Sequence, residues 1–313
     1  MENGQFPEHY KPSQSLWSVD TRFHWSRQTT SGIIAARCDY ADQYKFQQRP
    51  SDVPLALRDW VVVPYAEGAD AMTVVIDRAR SGNAKRPLHL RFRTPVKLTL
   101  AKDTARGTLG ESALTIQQLA ASGGQAEVRS IAAGSCFSEG ITRGGCAEAR
   151  IPVNEYRLVV PGPDMEAIHI IDSMAKKATP APATLVKGQG WQAVVAVRGD
   201  RTISVVTAGR GPLSYALPAV AGGVHVVIDG PSGEGGHATV SAVKQGNDCV
   251  VTLAPVHDDS GFDAGPLVFA IDDACAVAED KTMTRPLAVA TAPPPQGGNS
   301  GGSAATGSDP SGS

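Results

Sequence analysis

The sequence has no surplus of charge of either sign. Its 29 Lys and Arg against 31 Asp and Glu give a formal net charge of −2. That removes the sequence-wide basic field on which non-specific nucleic-acid binding relies. No apolar run approaches the ~20 residues a membrane-spanning helix needs. The opening MENGQFPEHYKPSQSLW lacks the basic start and apolar core of a secretory signal. There is no CxxC, which excludes a zinc ribbon and a thioredoxin-type redox motif. HxH and HExxH are missing as well, and no GxSxG stands between a strand and a helix as a nucleophile elbow would. GPSGEGGHA from Gly230 has the glycines of a phosphate loop without its Lys-Ser/Thr pair, and reads as a hairpin turn. HDDSGFDAG from His257 does not match the ligand alternation of an EF-hand. His225, His237 and His257 show no ligand spacing, so neither a metal nor a cofactor is indicated.

What is present is strand. SGIIAARCDY, DWVVVPY, AMTVVIDR, PLHLRFRT and VKLTLA follow one another across short polar or Gly/Pro breaks. Then come ALTIQQL, YRLVVP, AIHIID, WQAVVAVR, TISVVTA, GVHVVID, ATVSAV, CVVTLAP and PLVFAI. Each is short, rich in Val, Ile, Thr or aromatic residues, and bounded by turn formers. PDMEAIHIIDSMAKKA has helical features, but AIHIID alternates and the prolines after Thr179 close it, so it reads as strand. The expected fold is all-β: a large antiparallel multi-sheet β-sandwich spanning 29–285. An irregular lead covers 1–28. The Pro/Gly/Ser-rich segment 286–313 carries too little apolar surface to offset its ordering entropy and reads as a disordered linker or tail.

Five cysteines suggest a redox framework. Cys136 and Cys146 flank a glycine-containing loop, and Cys249 and Cys275 belong to strands expected to be neighbours. Two bridges with Cys38 left over suit an oxidising compartment. Five reduced, buried thiols are the alternative.

Candidate functional residues fall into three groups. In PLHLRFRT, Leu88, Leu90 and Phe92 point one way and His89, Arg91 and Arg93 the other. That second face could attract a uronate polymer, although a solvated sheet face accounts for the same pattern and is preferred. Asp77, Asp172 and Asp229 each end a hydrophobic strand. A pair of them would make a hydrolase, while the simpler reading is that each satisfies turn amides. Trp17, Trp25, Tyr40, Tyr44, Phe46 and Trp60 concentrate early in the chain, where most should be packing.

The order of these pieces is similar to the C-terminal β-sandwich region of bacterial heparinase II/III-like polysaccharide lyases. GIIAARCDYADQYKFQQR resembles a family segment with a strand, an acidic residue, a tyrosine and an arginine, here Asp39 or Asp42, Tyr44, and Arg49 or Arg58. DWVVVPYAEGADAMTVVIDRARSGNAKRPLHLRFRTP continues it, with Asp77, Arg78, His89 and Pro95 in the family's places. NEYRLVVPGPDMEAIHIIDSM resembles a later strand pair carrying Arg157 and His169, and GPLVFAID a closing strand. The resemblance spans most of 29–275.

It implies a β-sandwich of several sheets behind an α/α-toroid that supplies most catalytic groups for β-elimination of acidic polysaccharides. This sequence holds no such toroid and no metal-binding segment. The expectation is therefore a β-sandwich portion of an exported (extracellular or periplasmic) lyase that is inactive alone and assigns no catalytic residue. Its partners would be the missing toroid and an acidic polysaccharide, held by His89, Arg91, Arg93 and Tyr44. A secreted, non-enzymatic glycan-binding or surface-contact β-sandwich is the alternative.

Overall fold

The computed structural model describes residues 22–41, 53–65, 70–136, 149–199, 201–208, 213–218, 223–229, 237–256, 267–272, 274–279 and 282–283. They form four sheets. Sheet I contains, in spatial order, β5 (Leu88–Thr94), β10 (Val153–Val160) and β9 (Gln125–Ile131). Sheet II runs β21 (Thr282–Met283), β1 (Arg22–Thr29), β2 (Ile34–Asp39), β3 (Leu55–Pro64), β4 (Ala71–Arg80), β11 (Asp164–Ala175), β8 (Ser112–Ala120), β7 (Thr104–Leu109) and β6 (Thr99–Ala101). Sheet III orders β12 (Thr184–Gly188), β13 (Trp191–Arg198), β14 (Arg201–Ala208), β16 (Gly223–Asp229), β19 (Leu267–Ile271) and β20 (Val277–Glu279). Sheet IV contains β15 (Leu213–Pro218), β18 (Asp248–Val256) and β17 (His237–Gln245).

Three apolar cores stack these sheets in the order I, II, III, IV. Leu88, Leu90, Tyr156 and Leu158 of sheet I pack on Val75, Ile116 and Ala167 of sheet II. The opposite side of sheet II presents Val61, Met72, Val74, Ile168 and Ile170 to Val194, Ile203 and Val226 of sheet III. Ala193 and Val206 of sheet III then meet Tyr215, Val251 and Leu253 of sheet IV. Covering on both sides explains the sequences of β4 and β11. The alternation expected of AIHIID is not what β11 shows: in TVVI and AIHII side chains are buried or half-buried on both faces, whereas a strand with one wet face alternates.

Among the described residues every strand pairing is antiparallel except that of β14 with β16. The chain leaves sheet III after β14, forms β15 in sheet IV and returns, so the intervening strand takes up the reversal of direction. β16 lies in sheet III and β17 in sheet IV; residues 230–236, which hold most of GPSGEGGHA, lie outside the described residues. Strand structure also begins earlier than expected, with β1 opening at Arg22.

Cys249 and Cys275 are bonded, with Cα atoms 5.5 Å apart. Their strands are not neighbours in one sheet. Cys249 stands on β18 of sheet IV and Cys275 between β19 and β20 of sheet III, so the bridge fastens facing layers across their shared core. Cys136 is disulfide-bonded, and Cys146, its expected partner, lies outside the described residues. Cys38 is free and buried.

Candidate functional site

β5 forms one edge of sheet I, and its alternation is as the sequence implies. Leu88, Leu90 and Phe92 are buried, while the Arg91 and Arg93 side chains are 15% and 36% exposed. The outward face they share is not simply basic. Glu155 of β10 stands opposite Arg93 on one flank and Arg129 of β9 on the other. Its Oε2 accepts from Arg93 Nε at 2.7 Å and its Oε1 from Arg129 Nε at 2.8 Å, with Arg91 Nε 3.8 Å away. Glu155 is 0% exposed and held by these guanidinium groups. Beside this cluster Arg157 pairs with Glu127. Arg91, Arg93, Arg129 and Arg157 thus gather with two glutamates on one face, with His89 on the same strand as Arg91 and Arg93.

Sequence reading found the β5 half of this arrangement and missed the rest. The alternation of NEYRLVV places Glu155 and Arg157 on one face, but nothing in the spacing says that β10 pairs with a strand some sixty residues earlier. Tyr44, the remaining expected ligand-binding residue, lies outside the described residues, as do Asp42 and Arg49.

His169 serves the core. It is fully buried under Phe92 and Tyr156, both rings meeting it edge-on at 5.2 and 5.3 Å. Tyr156 donates its hydroxyl proton to Gln118 Oε1 at 3.0 Å, which leaves its oxygen to accept from His169 Nε2 at 3.1 Å. Burial pushes the His169 pKa down to about 3, so the ring stays neutral.

Beneath the free edge of β5, between sheets I and II, is a cleft of about 190 Å³. Arg58, Asp77, His89, Arg91 and Tyr40 line it together with apolar residues that include Leu90 and Met165. Asp77 and Arg78 point to opposite faces of β4, as neighbours on a strand must. Arg58 Nε donates to Asp77 Oδ1 at 2.6 Å, and the Arg58 guanidinium lies over Trp60 and Phe92 at 5.3 and 5.2 Å. Asp77 Oδ2 is buried with no hydrogen-bond partner among the described residues. Burial raises the Asp77 pKa to about 6, with Arg58 acting in the opposite direction. On the other side Arg78 pairs with Asp59 at 2.8 Å and Glu166 at 3.4 Å, and Arg37 holds the same Asp59 at 2.6 Å.

These ion pairs correct the view of strand-end aspartates as satisfying turn amides. Asp77 answers Arg58, and Asp172 answers Arg198, each across to another strand. They also lie on opposite faces of sheet II, Asp77 toward sheet I and Asp172 toward sheet III, so the sheet separates them as a catalytic pair. Asp229 closes β16, and its side chain lies outside the described residues.

One buried pair has nucleophile-and-base chemistry. Ser204 Oγ lies 2.5 Å from His225 Nδ1 between neighbouring strands of sheet III. Ser204 is 0% exposed, so no substrate reaches its oxygen in this arrangement. Among the described residues no three His, Cys, Asp or Glu side chains gather to hold a metal ion, and no helix is long and apolar enough to cross a membrane.

The geometry defines a class: a four-layered β-sandwich with an arginine-rich outer face and a small edge cleft. Neither a protein-family model nor a curated protein matches the chain.

Proposed function

We propose that this chain is a non-catalytic β-sandwich module that holds an acidic polysaccharide, and that it forms the β-portion of a heparinase II/III-like lyase whose catalytic groups lie on a helical toroid elsewhere. The observation that carries the reading is Glu155 buried beneath Arg91, Arg93 and Arg129. A central carboxylate gathers several guanidinium groups on one face of sheet I. Guanidinium groups are the side chains best suited to recognising carboxylate or sulfate groups. The multi-sheet antiparallel stack is the architecture the family resemblance implies. The Cys249–Cys275 bridge suits export to an oxidising compartment.

β-Elimination requires a base, an acid and neutralisation of the uronate carboxylate acting together. The arginine face supplies the third function alone. The purified chain is therefore expected to bind heparin, heparan sulfate, hyaluronan or alginate weakly. Binding should fade as salt rises, because a Debye length of about 10 Å at 0.1 M screens exposed charge. No product absorbing in the ultraviolet as unsaturated uronate should accumulate. Sustained turnover by contaminant-free protein would overturn the non-catalytic assignment. Binding that survives high salt would favour a stand-alone glycan-binding module, since apolar stacking is not screened by ions.

A further inference from the structure

We infer that the cleft beneath β5 is a subsite for a neutral, hydroxylated ligand, a single sugar ring or polyol fragment with adjacent hydroxyl groups. The site adjoins the proposed polyanion face and shares Arg91 and His89 with it, but its ligand is held by Arg58 and Asp77.

Two unused hydrogen-bonding capacities lie side by side there. Asp77 is 5% exposed, and its Oδ2 has no partner among the described residues. A buried carboxylate oxygen without a partner is rare and calls for a missing donor. Arg58 spends only Nε on Asp77, at 2.6 Å, and its terminal nitrogens make no hydrogen bond among the described residues. One guanidinium with spare donors next to one carboxylate with a spare acceptor is matched by a hydroxyl group, which donates and accepts at once. An anion would face the ionised Asp77, and a cation would face Arg58. Neither suits both groups, whereas a neutral diol does.

Shape agrees with this assignment. The volume of about 190 Å³ is smaller than the ~300 Å³ at which drug-sized pockets begin, so it accommodates one small ring. Its lining combines apolar Leu88, Leu90 and Met165 with polar Arg58, Asp77 and Tyr40. That mixture suits a sugar, whose ring carbons pack on apolar surface while its hydroxyls meet the polar groups. Arg58 is held in place by stacking on Trp60 and Phe92. The donor is thus preorganised before any ligand arrives.

Saturation-transfer NMR on the full chain at pH 7.5, with glucose, galactose, glycerol and glucuronate as probes, tests the inference. Transfer to at least one neutral sugar is expected, with millimolar affinity weakened about tenfold by Asp77→Asn, the size of effect when a charged hydrogen bond is lost. Binding should also weaken in the unsubstituted protein as the pH falls through about 6, where Asp77 takes up a proton. The charged and titratable groups around Asp77 are Arg58 and Asp59 of β3, Arg78 of β4, Tyr40, and His89 and Arg91 of β5. His89→Gln should leave the pH dependence in place. Carbon-13 titration of the Asp77 carboxyl should show its pKa drop when the sugar is bound. Absence of transfer to every neutral probe overturns the inference, since Oδ2 would then be satisfied by water alone. Indifference to both Asp77→Asn and pH overturns it too. Transfer to glucuronate alone, abolished by salt, would count against this subsite and for the arginine face.

Discussion

Arg198 and Asp172 meet in a two-pronged ion pair, Nε to Oδ1 at 2.7 Å and Nη2 to Oδ2 at 2.8 Å, with both side chains 1% exposed. The remaining Nη1 donates to the carbonyls of Ala181 and Val197, both at 2.8 Å. The pair joins β11 of sheet II to β13 of sheet III at the margin of their apolar core. Removing one partner strands the other charge, so Asp172→Ala should cost about 3–5 kcal/mol in urea or guanidinium unfolding. Replacing both partners by Leu and Met should cost much less. Equal losses for the single and double variants would show that the cost comes from losing the pair's attraction and not from a stranded charge.

The bridge between Cys249 and Cys275 closes a loop with a sequence separation of 26. Chain-entropy arguments assign a loop of that length about 3–4 kcal/mol. Reduction, or Cys249→Ala with Cys275→Ala, should lower the stability of sheets III and IV by that order. Peptide mapping without reductant should find Cys38 unlinked. Mapping that joins Cys38 to another cysteine would contradict its free, buried state.

How much of this was legible beforehand depended on the range of the signal. Period two in LHLRFRT fixed the faces of β5 because alternation is a local property. Strands such as QAEVRSI and TLVKG escaped notice because they are polar, with few buried side chains to mark them. Layer order escaped for a different reason. Unbroken apolar runs in β4 and β11 reveal that both faces are covered, but not by which strands. The candidate site suffered most from that gap. Arg58 and Asp77 were each visible, yet their pairing follows from the register of β3 on β4. Glu155 looked like any polar residue on a wet face until β5 and β9 were placed on either side of it.

Asp77 should impose a pH dependence on stability. Burial raises its pKa from the ordinary 3.8 to about 6. Between those values the folded protein holds a proton that the unfolded chain has lost. Its contribution is therefore complete below pH 4 and is lost as the pH rises through 6. A shift of about two units corresponds to about 3 kcal/mol. Asp77→Asn removes the titration while preserving shape. The stability of the variant relative to the unsubstituted protein should rise by up to that amount from pH 4 to pH 7.5. Urea midpoints at four pH values measure it, and a flat difference would show that Asp77 titrates as an ordinary carboxyl.

Glu155 sets stability and binding against each other. It is the shared counter-charge of Arg93 and Arg129, with Arg91 nearby, and replacing it by Gln keeps the volume while deleting the charge. The three guanidinium groups would then repel one another across a face that is only partly wet. Glu155→Gln should lower stability by about 1–3 kcal/mol, discounted from the cost of a fully buried pair because Arg93 is 36% exposed. Part of the loss should be recovered at 0.5 M salt, where the repulsion is screened. The same substitution raises the net positive charge of the face. Affinity for heparin should therefore increase, and its decline with salt should steepen. A purely structural cluster gives the first result without the second. Loss of stability with unchanged heparin affinity would remove the arginine face from the binding surface.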